Sequence, residues 1–311
     1  MSSGPAGALR FASCTQFCGG NWALRARAIA HGAISIVNAI PSGKGAALAI
    51  RLRACADVRL DRSGEVRVTG AAAGIAGGAL PRLVCARALQ AFGGRGMGAE
   101  VRVDSEIPPS RGLKSSSAVA VAVALATIAA LGQRASDEEL LRLVALACRE
   151  AGVSITGAVD DAAACLLGGL AVANCEELRV LRRLRAPRGL VALLLVPERV
   201  RPKALVPVSK LRALRPLAEQ ALELVLQGRW PLAMTLNGLL CCAALDESPL
   251  AALQALEEGA LAAGLTGTGP AVAAVCRPLC ARRIAEAWAG HGETVLRAAL
   301  CSSRAKAVRL A

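Results

Sequence analysis

The sequence predicts an α+β protein of two domains, on three observations. Segments with strand periodicity precede and mingle with segments of helical periodicity, without a strict strand–helix–strand beat, which disfavours a doubly wound sheet. A length of 311 residues suits one large or two medium domains. The texture changes from Leu170, and a boundary near residues 185–189 divides the chain into an extension over 1–24, a first domain over 25–187 and a second over 188–311.

Each element follows from the local pattern. Arg25–Ile36 alternates as a half-buried strand does. A turn at Pro41–Gly45 leads into a second alternating run, Ala46–Arg53, and Val66–Thr69 supplies a third. Leu80–Phe92 has helical spacing and stops at Gly93-Gly94. Val101–Val103 is a strand running into Pro108-Pro109, and residues 113–131 form a long apolar helix ended by Gly132. Ser136-Asp-Glu-Glu139 is a capping box opening a helix that ends near Gly152. Gly157–Leu167 is a shorter helix closed by Gly168-Gly169. Beyond it, Ala171–Ala173, Val180–Leu184 and Leu190–Val196 read as strands, and Lys210–Leu226, Pro231–Leu245 and Leu250–Gly259 as helices. A glycine-rich turn at Gly264–Pro270 meets the strand Ala271–Cys276, followed by a helix at Pro278–Ala289 and a last strand at Glu293–Ala298.

Composition removes several functional classes. Hydrophobic residues at 54% and charged residues at 19% exclude a disordered chain. Aromatic residues are 2% and tyrosine is absent, which argues against an aromatic platform for single-stranded nucleic acid. The longest apolar stretch, Ala118–Leu131, has 14 residues and contains Thr127, so it reads as a buried core helix and not a membrane span. The N-terminus lacks the apolar run of a signal peptide. Twelve cysteines sit mostly inside apolar patterns, without framework or zinc-knuckle spacing; Cys14/Cys18 and Cys276/Cys280 are the only suggestive pairs. A reduced, cytoplasmic setting with no membrane and no nucleic-acid partner is expected. The net charge of +14 suits a basic surface that attracts anionic substrates.

The segment that carries chemistry is Pro108-Pro109-Ser110-Arg111-Gly112-Leu113-Lys114-Ser115-Ser116-Ser117-Ala118. It sets a glycine, a cation and three hydroxyls directly before a long helix. The N–H groups of a helix N-terminus are unpaired, and the dipole there favours an anion. A serine-rich N-cap is the blander reading. The spacing departs from the Walker phosphate loop.

Pro-x-x-x-Gly-Leu-x-Ser-Ser resembles the phosphate loop of the kinases of galactose, homoserine, mevalonate and phosphomevalonate, the GHMP superfamily. Gly264-Leu-Thr-Gly-Thr-Gly-Pro-Ala271 resembles its C-terminal glycine motif. Gly32-Ala-Ile-Ser-Ile-Val-Asn-Ala-Ile-Pro-Ser-Gly-Lys-Gly45 resembles the first motif of one branch, the archaeal-type shikimate kinases. That branch also carries Gly-Leu-Lys-Ser-Ser-Ser-Ala and Thr-Gly-Ala-x-Asp-Asp-Ala, both present here. The resemblance spans residues 25–311. It implies a first domain like ribosomal protein S5 domain 2, a ferredoxin-like second domain, and a cleft where ATP and substrate meet. It also implies phosphorylation of the shikimate 3-hydroxyl, a step toward chorismate and the aromatic amino acids, with Mg²⁺ as cofactor. Another small alcohol as acceptor, or a non-catalytic RNA-binding or sensor protein on the same fold, are the alternatives.

The resemblance assigns roles residue by residue. Pro109 to Ala118 hold the ATP phosphates, with Ser116 on the metal. Counting back from Asp161 by the family spacing makes Glu150 the other metal ligand. Its place in the helix pattern also sets it with the apolar face, at a helix end where its charge opposes the dipole; an ordinary pair with an arginine is the plainer reading. Asp161 approaches the attacking hydroxyl, and Asp160 binds substrate hydroxyls; both would equally complement a helix start. Asn38, Lys44, Gly267, Thr268 and Gly269 complete the substrate side, Lys44 reading equally as a surface lysine. Relatives carry a lysine in the first strand that pairs with the catalytic aspartate, where this chain has Ala33. The cation beside Asp161 therefore stays open, as does the choice among Arg111, Lys44, Arg201 and Lys203 for the substrate carboxylate.

Overall fold

The computed structural model describes residues 24–70 and 78–310. The extension and Cys14/Cys18 lie outside the described residues. The chain opens on a long antiparallel pair, β1 (Arg25–Val37) and β2 (Lys44–Asp61). On one face of β1, Ala26, Ala28 and Ala30 are buried, while on the other Arg27 faces its cross-strand partner Asp57 at 3.0 Å. β2 runs past Arg53, where the sequence pattern ends it, because one strand serves two neighbours. Its first half pairs with β5 (Leu170–Asn174) and its second half with β4 (Gly98–Ser105). The edges are β3 (Val66–Thr69), parallel to β4, and β6 (Arg179–Leu184), antiparallel to β5.

Helices α1 (Ala79–Ala91), α2 (Ser115–Ala130) and α4 (Val159–Leu167) pack on this sheet, and α3 (Asp137–Glu150) packs on these helices. Thirteen of the sixteen residues of α2 are buried, because it runs between β1 and β2 on one side and α1 and α3 on the other. A helix apolar all round is an interior helix. The capping box of α3 forms as the sequence pattern requires: the Ser136 hydroxyl accepts from Glu139 N at 3.2 Å, and the Glu139 carboxylate accepts from Ser136 N at 2.8 Å.

The second sheet has the order β10-β7-β9-β8, all antiparallel. Its strands are β7 (Val191–Val196), β8 (Ala262–Leu265), β9 (Val272–Cys276) and β10 (Thr294–Ala299). Helices α5 (Val208–Ala213), α6 (Arg215–Leu226), α7 (Trp230–Ala244) and α8 (Leu250–Glu257) lie between β7 and β8, and α9 (Ala281–Ala289) between β9 and β10. This order is the ferredoxin-like arrangement that the resemblance implies. Trp288 anchors the core, fully buried with its indole N–H donating to Ala251 O at 2.8 Å.

Two expectations are corrected here. The helix expected over Lys210–Leu226 is two helices, broken at Leu214, where Pro216 in the first turn of α6 has no N–H to continue a preceding helix. The chain also does not end in the second sheet. A last strand, β11 (Lys306–Leu310), returns to pair antiparallel with β1, so the C-terminal segment belongs to the first sheet. No described helix is long and apolar enough to cross a membrane.

Candidate active site

A cavity of about 400 Å³ opens where the start of α2, the start of α4, the end of β1 and the two glycine-motif residues Gly267 and Thr268 meet. The phosphate loop forms one wall. Gly112 has φ 86°, and a Cβ there would sit 2.0 Å from Thr266 O, so no other residue fits. Ser110 and Lys114 are also left-handed, at φ 58° and 62°. Lys114 thus occupies the N-cap of α2 without capping it by side chain, and the first N–H groups of α2 stay free of intrahelical partners. Ser115 Oγ is buried with no hydrogen-bond partner, and Ser115, Ser116 and Ser117 all line the cavity. An anion of several oxygens fits this wall.

Thr266 clasps the loop to the second domain. Ser35 N donates to its hydroxyl at 2.9 Å, and the hydroxyl donates to Gly112 O at 3.1 Å. Ala271 N donates to Arg111 O at 3.2 Å. The Arg111 guanidinium donates to Pro197 O at 2.6 Å, Glu198 O at 2.7 Å and Pro109 O at 2.9 Å. Pro109, Arg111 and Ala118 therefore lie outside the cavity wall: Arg111 laces the loop to the chain after β7, and Ala118 is core.

Facing the phosphate wall, α4 presents both aspartates. The Lys114 ammonium lies 3.0 Å from Asp161 Oδ1, their side chains only 10% and 13% exposed. Burial works to lower the Lys114 pKa, but Asp161 and Asp160 outweigh it and leave the ammonium above the ordinary lysine range. Lys114 is the cation that the sequence left unassigned. Asp160 also lines the cavity, with different neighbours. It accepts from the Cys175 thiol at 3.3 Å, and a Cβ on Gly45 would meet its Oδ2 at 2.3 Å. Burial and then the neighbouring Asp161 push its carboxyl up, against the pull of Lys114 and the thiol.

The remaining expected residues divide. Gly267 and Thr268 line the cavity and Gly269 does not. Asn38 lines it too, but its amide holds the wall: Nδ2 donates to Gly267 O at 2.9 Å, Oδ1 accepts from Ile40 N at 2.9 Å, and its backbone N–H donates to Asn237 Oδ1 at 2.9 Å. Lys44 is exposed and away from the cavity. Glu150 is a correction. Its side chain is 49% exposed and pairs with Arg87 of α1, away from the cavity wall. Helical spacing placed it near the apolar face, but the last turn of α3 leaves it at the rim, where the arginine pair is what forms.

Sequence reasoning missed Ser35, Thr266, Asn237 and Cys175, of which Ser35 and Asn237 lie inside largely apolar runs. Thr266 alone carried a signal, as the middle of the glycine motif. Lys203 was one candidate among four. It sits in a short 3₁₀ turn, Lys203–Leu205, on an exposed strap, yet its ammonium reaches inward to Thr268 Oγ1 at 2.8 Å. Burial of that end, with the Lys114 charge beside it, brings its pKa down to about 8.

An anion-holding helix start opposed by a cation-paired carboxylate, in a cleft between these two sheets, defines a phosphotransferase of small molecules. The chain belongs to the GHMP kinases: the family models described as GHMP kinases N terminal domain and GHMP kinases C terminal match residues 70–169 and 221–294. Within that family it is 40% identical, over 89% of its length and 94% of the relative's, to a shikimate kinase of Methanothrix thermoacetophila. A shikimate kinase of Halobacterium salinarum is 41% identical over 80% of this chain and 87% of its own. Among solved structures, a homoserine kinase from Cytophaga hutchinsonii superposes with a TM-score of 0.72 at 19% identity, covering 94% of this chain and all of that one. This last likeness speaks to fold. The protein is an ATP-dependent small-molecule kinase.

Proposed function

We propose that the enzyme transfers the γ-phosphoryl group of ATP to the 3-hydroxyl of shikimate, on the route to chorismate. The relatives named shikimate kinase, which match most of the chain, support the acceptor. The observation that carries the chemistry is the Lys114–Asp161 pair at 3.0 Å beneath the free start of α2.

In this reading the helix start and the Ser115–Ser117 hydroxyls hold the nucleotide phosphates, and the dipole of α2 favours their charge. Asp161 accepts a hydrogen bond from the attacking hydroxyl, aims it at the terminal phosphorus, and takes its proton as the new O–P bond forms and ADP leaves. Lys114 holds the Asp161 carboxylate in place. Asp160, buried against Gly45, fixes the first turn of α4. The hard oxygen donors of the wall suit Mg²⁺, which would be held by the Ser116 hydroxyl together with the nucleotide, and which supplies neutralisation of phosphate charge when bound. Residues 25–187 with β11 form the nucleotide-holding domain, and the rest closes the cleft. The ten described cysteines are all free, which suits a reduced cytoplasm.

A coupled ADP-release assay with shikimate, homoserine and mevalonate tests the acceptor. Turnover confined to shikimate is the expected result; turnover of another acceptor with none of shikimate would refute it.

A further inference from the structure

We infer that Lys203 is the residue that receives the carboxylate of the acceptor and so sets the specificity of the cleft for an acid over a neutral alcohol. This rests on the proposed function, and deepens it.

The other cations near the cleft are committed elsewhere. Arg111 spends its guanidinium on three backbone carbonyls. Lys44 is exposed and outside the cavity wall. Lys114 is held by Asp161. Arg201 also lines the cavity, but its Nη2 is held by Glu247, which it shares with Arg199, and by Leu245 O at 2.9 Å, so its charge already has a carboxylate partner. Lys203 has no ion pair among the described residues, lines the cavity, and touches a single neutral hydroxyl, that of Thr268.

An ammonium turned into a partly dry cavity without a counter-ion costs free energy that an anionic ligand recovers. Its depressed pKa has the same origin. Two anions reach this cleft, the nucleotide phosphates and the acceptor carboxylate. The phosphates have the start of α2 and its serines. Lys203 stands on the strap of the second domain, beside Thr268 and next to the phosphate loop, which the strap meets where Arg201 N approaches Ser110 O at 3.5 Å. On shikimate the carboxylate and the 3-hydroxyl are carried by ring carbons separated by one other. The group that takes the carboxylate must therefore lie within a small ring's reach of Asp161, and both Asp161 and Lys114 are close enough to act on the charge of Lys203. Thr268 serves as a second donor, its hydroxyl oriented by the ammonium.

The test is steady-state kinetics of the wild type, K203M, K203R and R201K, with shikimate and with its neutral methyl ester, ATP being varied separately. Wild-type turnover of shikimate tests the acceptor assignment on its own; if it is absent, both that assignment and this inference fall. With shikimate accepted, K203M should raise its KM by on the order of 100-fold and erase the preference for acid over ester, while KM for ATP moves by less than about threefold. K203R should recover at least about tenfold of the loss. Retained acid preference in K203M, a rise confined to KM for ATP, or loss of the preference in R201K alone would each overturn the assignment. Unchanged thermal unfolding separates these results from misfolding; should K203M fail to fold, K203Q decides, loss of the acid-over-ester preference with KM for ATP unmoved supporting the role and a retained preference refuting it.

Discussion

Lys114 and Asp161 face each other at 3.0 Å across the junction of two helix starts, one cation and one carboxylate, both nearly closed from solvent. The pair joins the phosphate loop to the start of α4, and in the proposed function this one contact positions both nucleotide and acceptor. It also puts a cation beside Asp161, which the resemblance would have drawn from the first strand, where this chain has Ala33. Removing one member leaves the other buried without its partner, which is worse than removing both.

K114M should therefore lower stability by about 3 kcal/mol, and the K114M/D161N double variant should recover about 2 kcal/mol of it. Urea unfolding of K114M, D161N and the double variant measures this. Additive losses would show that the two charges do not depend on each other.

The pH dependence follows from Lys203. Its pKa of about 8 lies below the ordinary lysine value, so the ammonium is present below pH 8 and lost as the pH rises through that value. The charges facing it are Lys114 and Asp161, and Lys114 stays protonated over this range. The value of kcat/KM for shikimate should fall about tenfold per pH unit above 8, whereas kcat falls later, because a bound carboxylate raises the lysine's pKa. A kcat/KM that stays flat to pH 9.5, about one and a half units above the lysine's value, would contradict this.

Gly45 is the counter-surface of Asp160. G45A puts a methyl group 2.3 Å from Asp160 Oδ2 and 2.8 Å from the Ala39 methyl. A cost of about 2 kcal/mol and a large fall in kcat are expected, since α4 must shift. Thermal unfolding beside a turnover assay tests it, and wild-type values for both would remove Asp160 from any positioning role.

Thr266 ties the phosphate loop to the second domain through one hydroxyl. T266V should cost about 2 kcal/mol and raise KM for ATP more than KM for shikimate, because Ser35 N and Gly112 O both lose their partner. Equal kinetics would place the clasp outside the nucleotide site.

The long periodic elements were legible in the sequence because their pattern is local. The capping box of α3 and the all-apolar α2 are examples, while the phosphate loop and the aspartate pair were picked out by their resemblance to known motifs. β8 and β11 were not. β8 is four residues ending in Gly-Leu, and β11 carries Lys306 and Arg309 on an edge; each is fixed by its partner strand more than by its own residues. The Lys114–Asp161 pair was hidden for the same reason, since it exists only when two helix starts meet in space. Glu150 shows the converse: its place in the chain matched a family role, and Arg87, on a helix distant in sequence, takes the side chain.

The most direct test is single-turnover formation of shikimate 3-phosphate at saturating ATP and shikimate, in the wild type and in D161N. The wild type should form product, and D161N should be slower by about 10³-fold with ATP affinity within a few-fold. Product formed by D161N at the wild-type rate would contradict the role of Asp161 in aiming and deprotonating the acceptor.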